Sequence, residues 1–376
     1  MQTINFDLDK QNDANNGCSQ VDTYKTGRKN IDEVVINFYY FIEYEMSTEP
    51  KLKSYSIFNS AIRSLSKVVV ESSATTESEI LMELSTAMDI LMMNLSTEEF
   101  FEKIASKHGV TNISVVPFCR IFEASLLKLI MVESGNLAEE ANLVEFKRKL
   151  SERTNNFISN LNKGTQKIMN LSLSLFTKDR MAILTFGYSE IIEILLENAR
   201  EKYNKHYSIL IVVPNIDHSK EFATRKELIS YHHKNILEWK TRMRSNDISV
   251  KLLSIDSIYN AINAVDFVLL KPECILESGS VIGISGTAVI SAIANSVFYK
   301  PVYFVTHAAK FVNMVPMEMK INNVVSEITY QNPKSLSCPI NSIFDLSDSS
   351  HITMFLTDIG AITPQNIAFE TKQLFL

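Results

Sequence analysis

The chain has 376 residues, 45% of them hydrophobic and 21% charged, which is the balance of an ordinary globular protein with material for two domains. Its net charge of −6 excludes the broad basic footprint of a protein whose main partner is nucleic acid. No apolar run approaches the roughly 18 residues that span a membrane, and the four cysteines (Cys18, Cys119, Cys274, Cys338) are far apart and read as reduced thiols rather than a disulfide or metal framework.

Residues 1–30, rich in Asn, Asp, Gln and Lys, read as a disordered leader with no apolar signal core, which makes the cytoplasm the expected compartment. Residues 31–176 read as a helical domain. "INFYYFIEYEM" and "FNSAIRSLSKVVV" are apolar along one helical face. In "ATTESEILMELSTAMDILMM", Thr76 stands three residues before Glu79, the spacing of a capping box. Ile80, Leu84, Ala87 and Leu91 form its apolar stripe, while Glu79, Glu83, Thr86 and Asp89 make a polar face that reads as solvated. Phe146, Leu150, Phe157, Leu161, Ile168 and Leu175 continue the rhythm into one long helix, or two if Gly164 interrupts it.

From residue 177 the pattern changes. Short apolar runs, "MAILTF", "YSILIVV", "ISVKLLS", "VDFVLL" and "PVYFV", alternate with amphipathic segments such as "YSEIIEILLENAREKYN". Buried strands alternating with helices imply right-handed crossovers and a parallel sheet covered on both faces. The expected fold is therefore α/β: an N-terminal helical domain followed by a Rossmann-like, doubly wound domain over 177–376. Its binding sites are expected at the carboxyl ends of the strands, near 185–189, 213–215 and 270–287.

The stretch "ESGSVIGISGT", 277–287, concentrates three glycines. Read as a loop that leaves a strand and opens a helix capped by Thr287, it turns a corner or cradles a phosphate. Thr185, Tyr188, Ser189, Glu273, Ser278, Gly279, Gly286 and Thr287 are then the candidate pocket for a sugar phosphate or nucleotide. Glu273 and Glu277 are the candidate acid or base, with a raised titration if desolvated. The adjacent His232 and His233 sit on a helix about 100° apart and do not chelate one metal; no metal and no cofactor is expected. Residues 313–350 carry no clear pattern, and "SEITYQNPKSLSCPINS" within them reads as a dimer-edge or mobile loop.

The run "VDFVLLKPECILESGSVIGISGT", followed by "KPVYFVTHAAKFV" and "FLTDIGAITPQNIAFETKQLFL", resembles the regulatory subunits of eukaryotic translation initiation factor 2B, most of all the alpha subunits. Val265-Asp266, Glu273, Glu277, Gly279, Gly286-Thr287, Lys300-Pro301, Lys310-Phe311-Val312, Thr357-Asp358-Ile359-Gly360 and Thr363-Pro364 carry the likeness, and "FIEYEMSTEPKLKSYSIFNSAIRSL" resembles the opening helices. The fold is shared with sugar-phosphate isomerases. Where those enzymes have a cysteine this chain has Gly187, and where they have an Asn-Lys pair it has Gly283-Ile284. The resemblance also shows departures: Phe186 replaces a histidine, and Lys271-Pro272 replaces Gly-Ala. It implies a non-catalytic regulatory subunit of the guanine-nucleotide exchange factor for initiation factor 2. Such a subunit forms a homodimer, joins the beta, delta, gamma and epsilon subunits, and helps sense the phosphorylated alpha subunit of initiation factor 2. The resemblance places the sensing helix at Thr76, Glu79 and Glu83.

Overall fold

The computed structural model describes residues 26, 28–48, 53–74, 76–95, 97–100, 103–104, 106–133, 140–214, 223–245, 248–312 and 344–375. The expected leader (all but four of its residues) and the stretch 313–343 lie outside the described residues. The chain divides into two compact units. One comprises residues 1–94 and 133–154, the other residues 95–132 and 155–376. The second unit thus takes in helical segments that the sequence pattern groups with the N-terminal part.

In the first unit, α1 (Val34–Thr48), α2 (Lys53–Val70) and α3 (Glu77–Leu95) are helical. Apolar side chains at helical spacing, among them Phe38, Phe58, Ile62, Leu65, Leu84 and Leu91, are buried, and this burial supplies most of the stability of such helices. The start of α3 is set by Thr76, whose Oγ1 accepts from the Glu79 amide at 3.3 Å, as the capping spacing predicts. Glu83 corrects the solvated-face reading. It is 2% exposed, accepts from Arg28 Nη1 at 2.7 Å and Asn30 Nδ2 at 2.8 Å, and so fastens the start of the described chain to α3.

The long helix is continuous. After α4 (Asn112–Glu133), α5 runs unbroken over Glu140–Ser172, so Gly164 does not interrupt it. Gly164 is there for space. A Cβ at that position would lie 2.6 Å from His307 Cε1 and 2.8 Å from Asp358 Cβ. One residue on, Thr165 Oγ1 lies 3.2 Å from His307 Nε2, and Asp358 accepts from the Ala308 amide at 2.7 Å.

The second unit is built on a seven-stranded sheet. Its strands are β1 (Met181–Phe186), β2 (Tyr207–Val213), β3 (Ser249–Ser254), β4 (Phe267–Leu270), β7 (Val302–Val305), β10 (Met354–Thr357) and β11 (Gly360–Ile362). Their order is β11-β10-β7-β4-β1-β2-β3, parallel throughout except for β10–β11. Alternation along β1 sends Ile183 to one face and Leu184 to the other. The first face packs Ile192, Leu195, Leu196, Trp239 and Met243, from α6 (Glu190–Glu201) and α7 (Ala223–Ser245). The second packs Ile258, Ile262, Ile290 and Ile367, the last two from α8 (Thr287–Ala292) and α9 (Ile367–Phe375). Asp266 ties the starts of two neighbouring strands together, accepting from the Ala182 amide at 2.8 Å while its own amide donates to Ala182 O.

A second sheet was not read from the sequence. It contains β5 (Cys274–Leu276), β6 (Val281–Ile284), β8 (Phe311–Val312) and β9 (Phe344–Ser347), in the order β8-β5-β6-β9. The glycine-rich stretch is therefore a β-hairpin before it is a helix start, because β5 and β6 pair antiparallel. Cys274, Leu276, Ile282, Val312 and Phe344 form its buried side with Ile113 and Leu228.

Filling the Gly164 contact tests this packing. Gly164→Ala gains about 1 kcal/mol of helix propensity but overpacks a closed contact, which costs about 1–3 kcal/mol. The expected outcome is a net loss of stability in a chemical denaturation curve, where a surface Gly→Ala change in a helix would raise it.

Candidate functional site

The strand order reverses between β1 and β4, so the crevice of this sheet lies at their carboxyl ends. A small cavity sits there, lined by Phe186, Tyr188, His232, Leu270, Lys271, Ile284 and Thr287, with room for roughly one water molecule. Tyr188 and His232 are held from behind. The Tyr188 amide donates to His232 Nδ1 at 2.9 Å. Its hydroxyl donates to Glu193 Oε2 at 2.7 Å, and Arg242 grips Glu193 Oε1 through Nε and Nη2 at 2.8 and 2.6 Å. With Nδ1 accepting, the neutral His232 ring carries its proton on Nε2, which has no hydrogen-bond partner among the described residues. Burial, reinforced by the nearby Lys271 ammonium, holds the His232 pKa down at about 3.

Beside the cavity lies a buried ion cluster. Glu273, fully buried, lies 3.0 Å from Lys271 Nζ and accepts from Thr111 Oγ1 at 2.7 Å. Lys310, 7% exposed, donates to Pro272 O at 2.8 Å. Burial acts to raise the Glu273 pKa, but Lys271, Lys310 and the Thr111 hydroxyl outweigh it and bring it to about 2. The expectation of a high-titrating acid is thus corrected: a carboxylate with two cations beside it stays ionised. Lys310 is also lowered, but here burial is the cause; Glu273 opposes and Lys271 assists, leaving it at about 7.

The eight candidate pocket residues do not converge. Tyr188 and Thr287 line the cavity, and Glu273 sits behind Lys271. Thr185 and Ser189 are buried, and their hydroxyls lack partners among the described residues. Ser189 stands at the start of α6 without making a side-chain cap. Ser278 and Gly279 belong to the hairpin turn, where the Gly279 amide donates to Leu276 O at 2.9 Å. A Cβ on Gly279 would meet Pro364 O at 2.5 Å, so this glycine serves close packing and a φ of +79°.

Gly286 is the residue that begins α8, at φ +114°. Thr287 does not cap the helix; its hydroxyl donates to Ile284 O at 2.6 Å. The cap is Asp345 from β9, whose Oδ2 accepts from the amides of Gly286 at 2.7 Å and Ala288 at 3.0 Å. The amides read as a phosphate cradle are thus already bonded to a carboxylate of the same chain. Burial nonetheless raises that carboxyl to about 6. Over Gly286 lies the Phe186 ring, which a Cβ there would meet at 2.7 Å. Gly187, with a φ of +64°, is closed in the same way, because a Cβ would lie 3.1 Å from His232 Nδ1. Among the described residues no group of three metal-ligating side chains occurs, and no helix is long and apolar enough to cross a membrane.

The model of the initiation factor 2 subunit family, named IF-2B, matches residues 54–215 and 235–364, most of the chain, including the crevice strands and the glycine-rich hairpin but not His232. The chain belongs to the initiation factor 2 subunit family. Among its relatives, the Dictyostelium discoideum protein named translation initiation factor eIF2B subunit alpha is 25% identical over 363 residues, covering 92% of this chain and 98% of that one. The Caenorhabditis elegans protein of the same name is 24% identical over 233 residues, covering 60% and 68%. The fold is that of solved family structures. Chaetomium thermophilum eIF2B beta superposes with a TM-score of 0.61 at 12% identity, covering 94% of this chain and 97% of that one. A chain of the tetrameric eIF2B beta2-delta2 complex from that organism gives 0.61 at 14%, covering 93% and 96%.

Sequence reasoning missed His232, Asp345, Thr111 and Lys310 as parts of this IF-2B family crevice. His232 and Asp345 sit far from the glycine stretch in sequence, and no local spacing marks them. Lys310 had a signal, since it falls in the "KFV" that carries the family likeness.

Glu273→Gln leaves the half-buried Lys271 and the buried Lys310 without their counter-charge, a loss of up to about 3–5 kcal/mol, the cost of breaking a fully buried pair. The pH dependence follows from the two shifts. Glu273 is depressed from 4.5 to about 2, so the stability it contributes is complete above pH 4.5 and is lost as pH falls toward 2. Lys310 is depressed from 10.5 to about 7, so its contribution rises with pH across that window. Urea unfolding at a series of pH values is expected to show a shallower acid limb for Glu273→Gln than for the unsubstituted protein.

Proposed function

We propose that this protein is a regulatory, non-catalytic subunit of the alpha type in the guanine-nucleotide exchange assembly for translation initiation factor 2. The observation that carries this reading is the likeness to an alpha subunit along 98% of that protein's length. Its expected partners are a second copy of itself and beta, delta, gamma and epsilon subunits, and it is expected to help read the phosphorylated alpha subunit of initiation factor 2. The crevice supports a role without turnover. Its carboxylate is neutralised by lysines, its amides are bonded to Asp345, and position 187 has no side chain. A sugar phosphate or nucleotide, the second reading of the crevice, needs space well beyond that of one water.

Within the first unit, the residues proposed for partner reading divide into two kinds. Thr76 and Glu79 are exposed, whereas Glu83 is buried on Arg28 and Asn30. Glu83→Lys is therefore expected to lower the melting temperature, with about 1–3 kcal/mol lost from charge-assisted hydrogen bonds, and Glu79→Lys to leave it unchanged.

The assembly itself is tested by native mass measurement of the purified chain, alone and co-expressed with beta and delta homologues. A dimer that takes up both partners supports the proposal. A chain that stays monomeric and fails to co-purify with either overturns it.

A further inference from the structure

The segment that enters α4 bridges the two walls of the crevice. A single helical turn, Ser106–His108, is followed by Gly109, Val110 and Thr111, all buried, and α4 begins at Asn112. One wall is α7, which supplies His232 to the cavity lining. Gly109, at φ +62°, lies so close to the neighbouring Tyr231 that a Cβ would run into its ring. That ring stands edge-on to His232 and to Tyr188, at centroid distances of 5.7 and 6.1 Å. The other wall is the bend from β4 to β5, which supplies Lys271 to the lining. Lys271 Nζ lies 3.5 Å from Gly109 O, and the Thr111 hydroxyl donates to Glu273 at 2.7 Å. The first apolar residue of α4 repeats the arrangement, because Ile113 shares one buried cluster with Leu228 of α7 and with Cys274 and Leu276 of β5.

Two features mark these three residues as a closure rather than as core. Their hold is slight: a glycine in the left-handed region, one long contact to an ammonium and one hydroxyl bond. The sheet beside them is packed with apolar side chains on both faces, and the parts of a protein that open are drawn from its less firmly held segments. The closed space also leaves a hydrogen bond unmade. His232 Nε2 is buried in the lining with no partner among the described residues, an expense that a wider, wetted crevice removes. The same residues begin a helix. The amides of Ser114 and Val115 donate to Thr111 O at 3.1 and 3.3 Å, so displacing Thr111 displaces the start of α4.

We propose that residues 109–111 are a releasable bar across the crevice. In place, the bar ties α7 to the β4–β5 bend; its release parts the two walls and shifts the start of α4 in the same step. Opening of the crevice and the position of α4 are thereby one equilibrium, and whatever favours either end moves the other. The bar is argued from its contacts alone. It stands apart from the assembly reading, which co-purification tests separately.

The experiment is hydrogen exchange of the full chain, resolved to single amides by mass spectrometry. Gly109→Ala removes the seat on α7 and Thr111→Val the bond to Glu273, and neither touches a residue of the cavity lining. With either variant, exchange at the amides of Val110 and Thr111, or of the valine that replaces it, is expected to quicken about tenfold or more. The Tyr188 amide, held by His232 inside the crevice, is expected to follow by about threefold or more. Ile209 and Ile211 of β2 hold their rates within about twofold. Thr241→Val, the same change on an exposed threonine of α7, leaves all of these sites unaltered. A bar that loosens while Tyr188 keeps its rate overturns the proposal. So does unchanged exchange at positions 110 and 111, an equal rise in β2, or a response to Thr241→Val that matches the response to Thr111→Val.

Discussion

A buried carboxylate held by one buried and one half-buried lysine sets the terms for the second unit. Glu273 is encircled by Lys271, Lys310 and the Thr111 hydroxyl, and each belongs to a different stretch of chain: the bend from β4 to β5, the turn entering β8, and the segment before α4. Desolvating a carboxylate and two ammonium groups is costly, and their mutual attraction offsets that cost only while the geometry holds. The cluster therefore acts less as a source of net stability than as a constraint on register. If β5 slips by one residue, Cys274 replaces Glu273 between the lysines and both cations are left without an anion.

The constraint explains why the second sheet exists beside the first. Lys310 donates to Pro272 O, and β8 then pairs with β5 in parallel, so the ion cluster and the strand pairing fasten the same two segments. On the far side of the hairpin, β9 pairs with β6 and brings Asp345 to the amides at the start of α8. An anion supplied by the chain itself takes the place a dissolved one would occupy at a helix start. The crevice thus has its charges paired internally, and what remains at the switch point is a small space between aromatic, aliphatic and imidazole groups.

Much of this fold was legible because it rests on local period. The strands at 181–186, 207–213, 249–254 and 267–270 are apolar runs of strand length, and Thr76 before Glu79 marked the start of α3. What was not legible depended on partners distant in sequence. Glu83 looks like one carboxylate among several on a polar face until Arg28 and Asn30, more than fifty residues earlier, are brought to it. The stretch around Gly279 and Gly283 reads as a loop because glycine is poor in strands. Yet Gly283 pairs with Asp345, and a Cβ there would press 2.7 Å from Thr287 Oγ1. Close approach, invisible to any window of sequence, is what fixes glycine at that position.

Gly187 and His232 together reach beyond the present chemistry of the crevice. The glycine turns in the left-handed region, and the imidazole stands where a side chain at 187 would begin. A side chain there meets a left-handed turn and an imidazole that has to yield by a few tenths of an ångström while it holds the Tyr188 amide. The cost of any reactive group at this turn is therefore set by backbone strain and by the hydrogen bond that positions its neighbour.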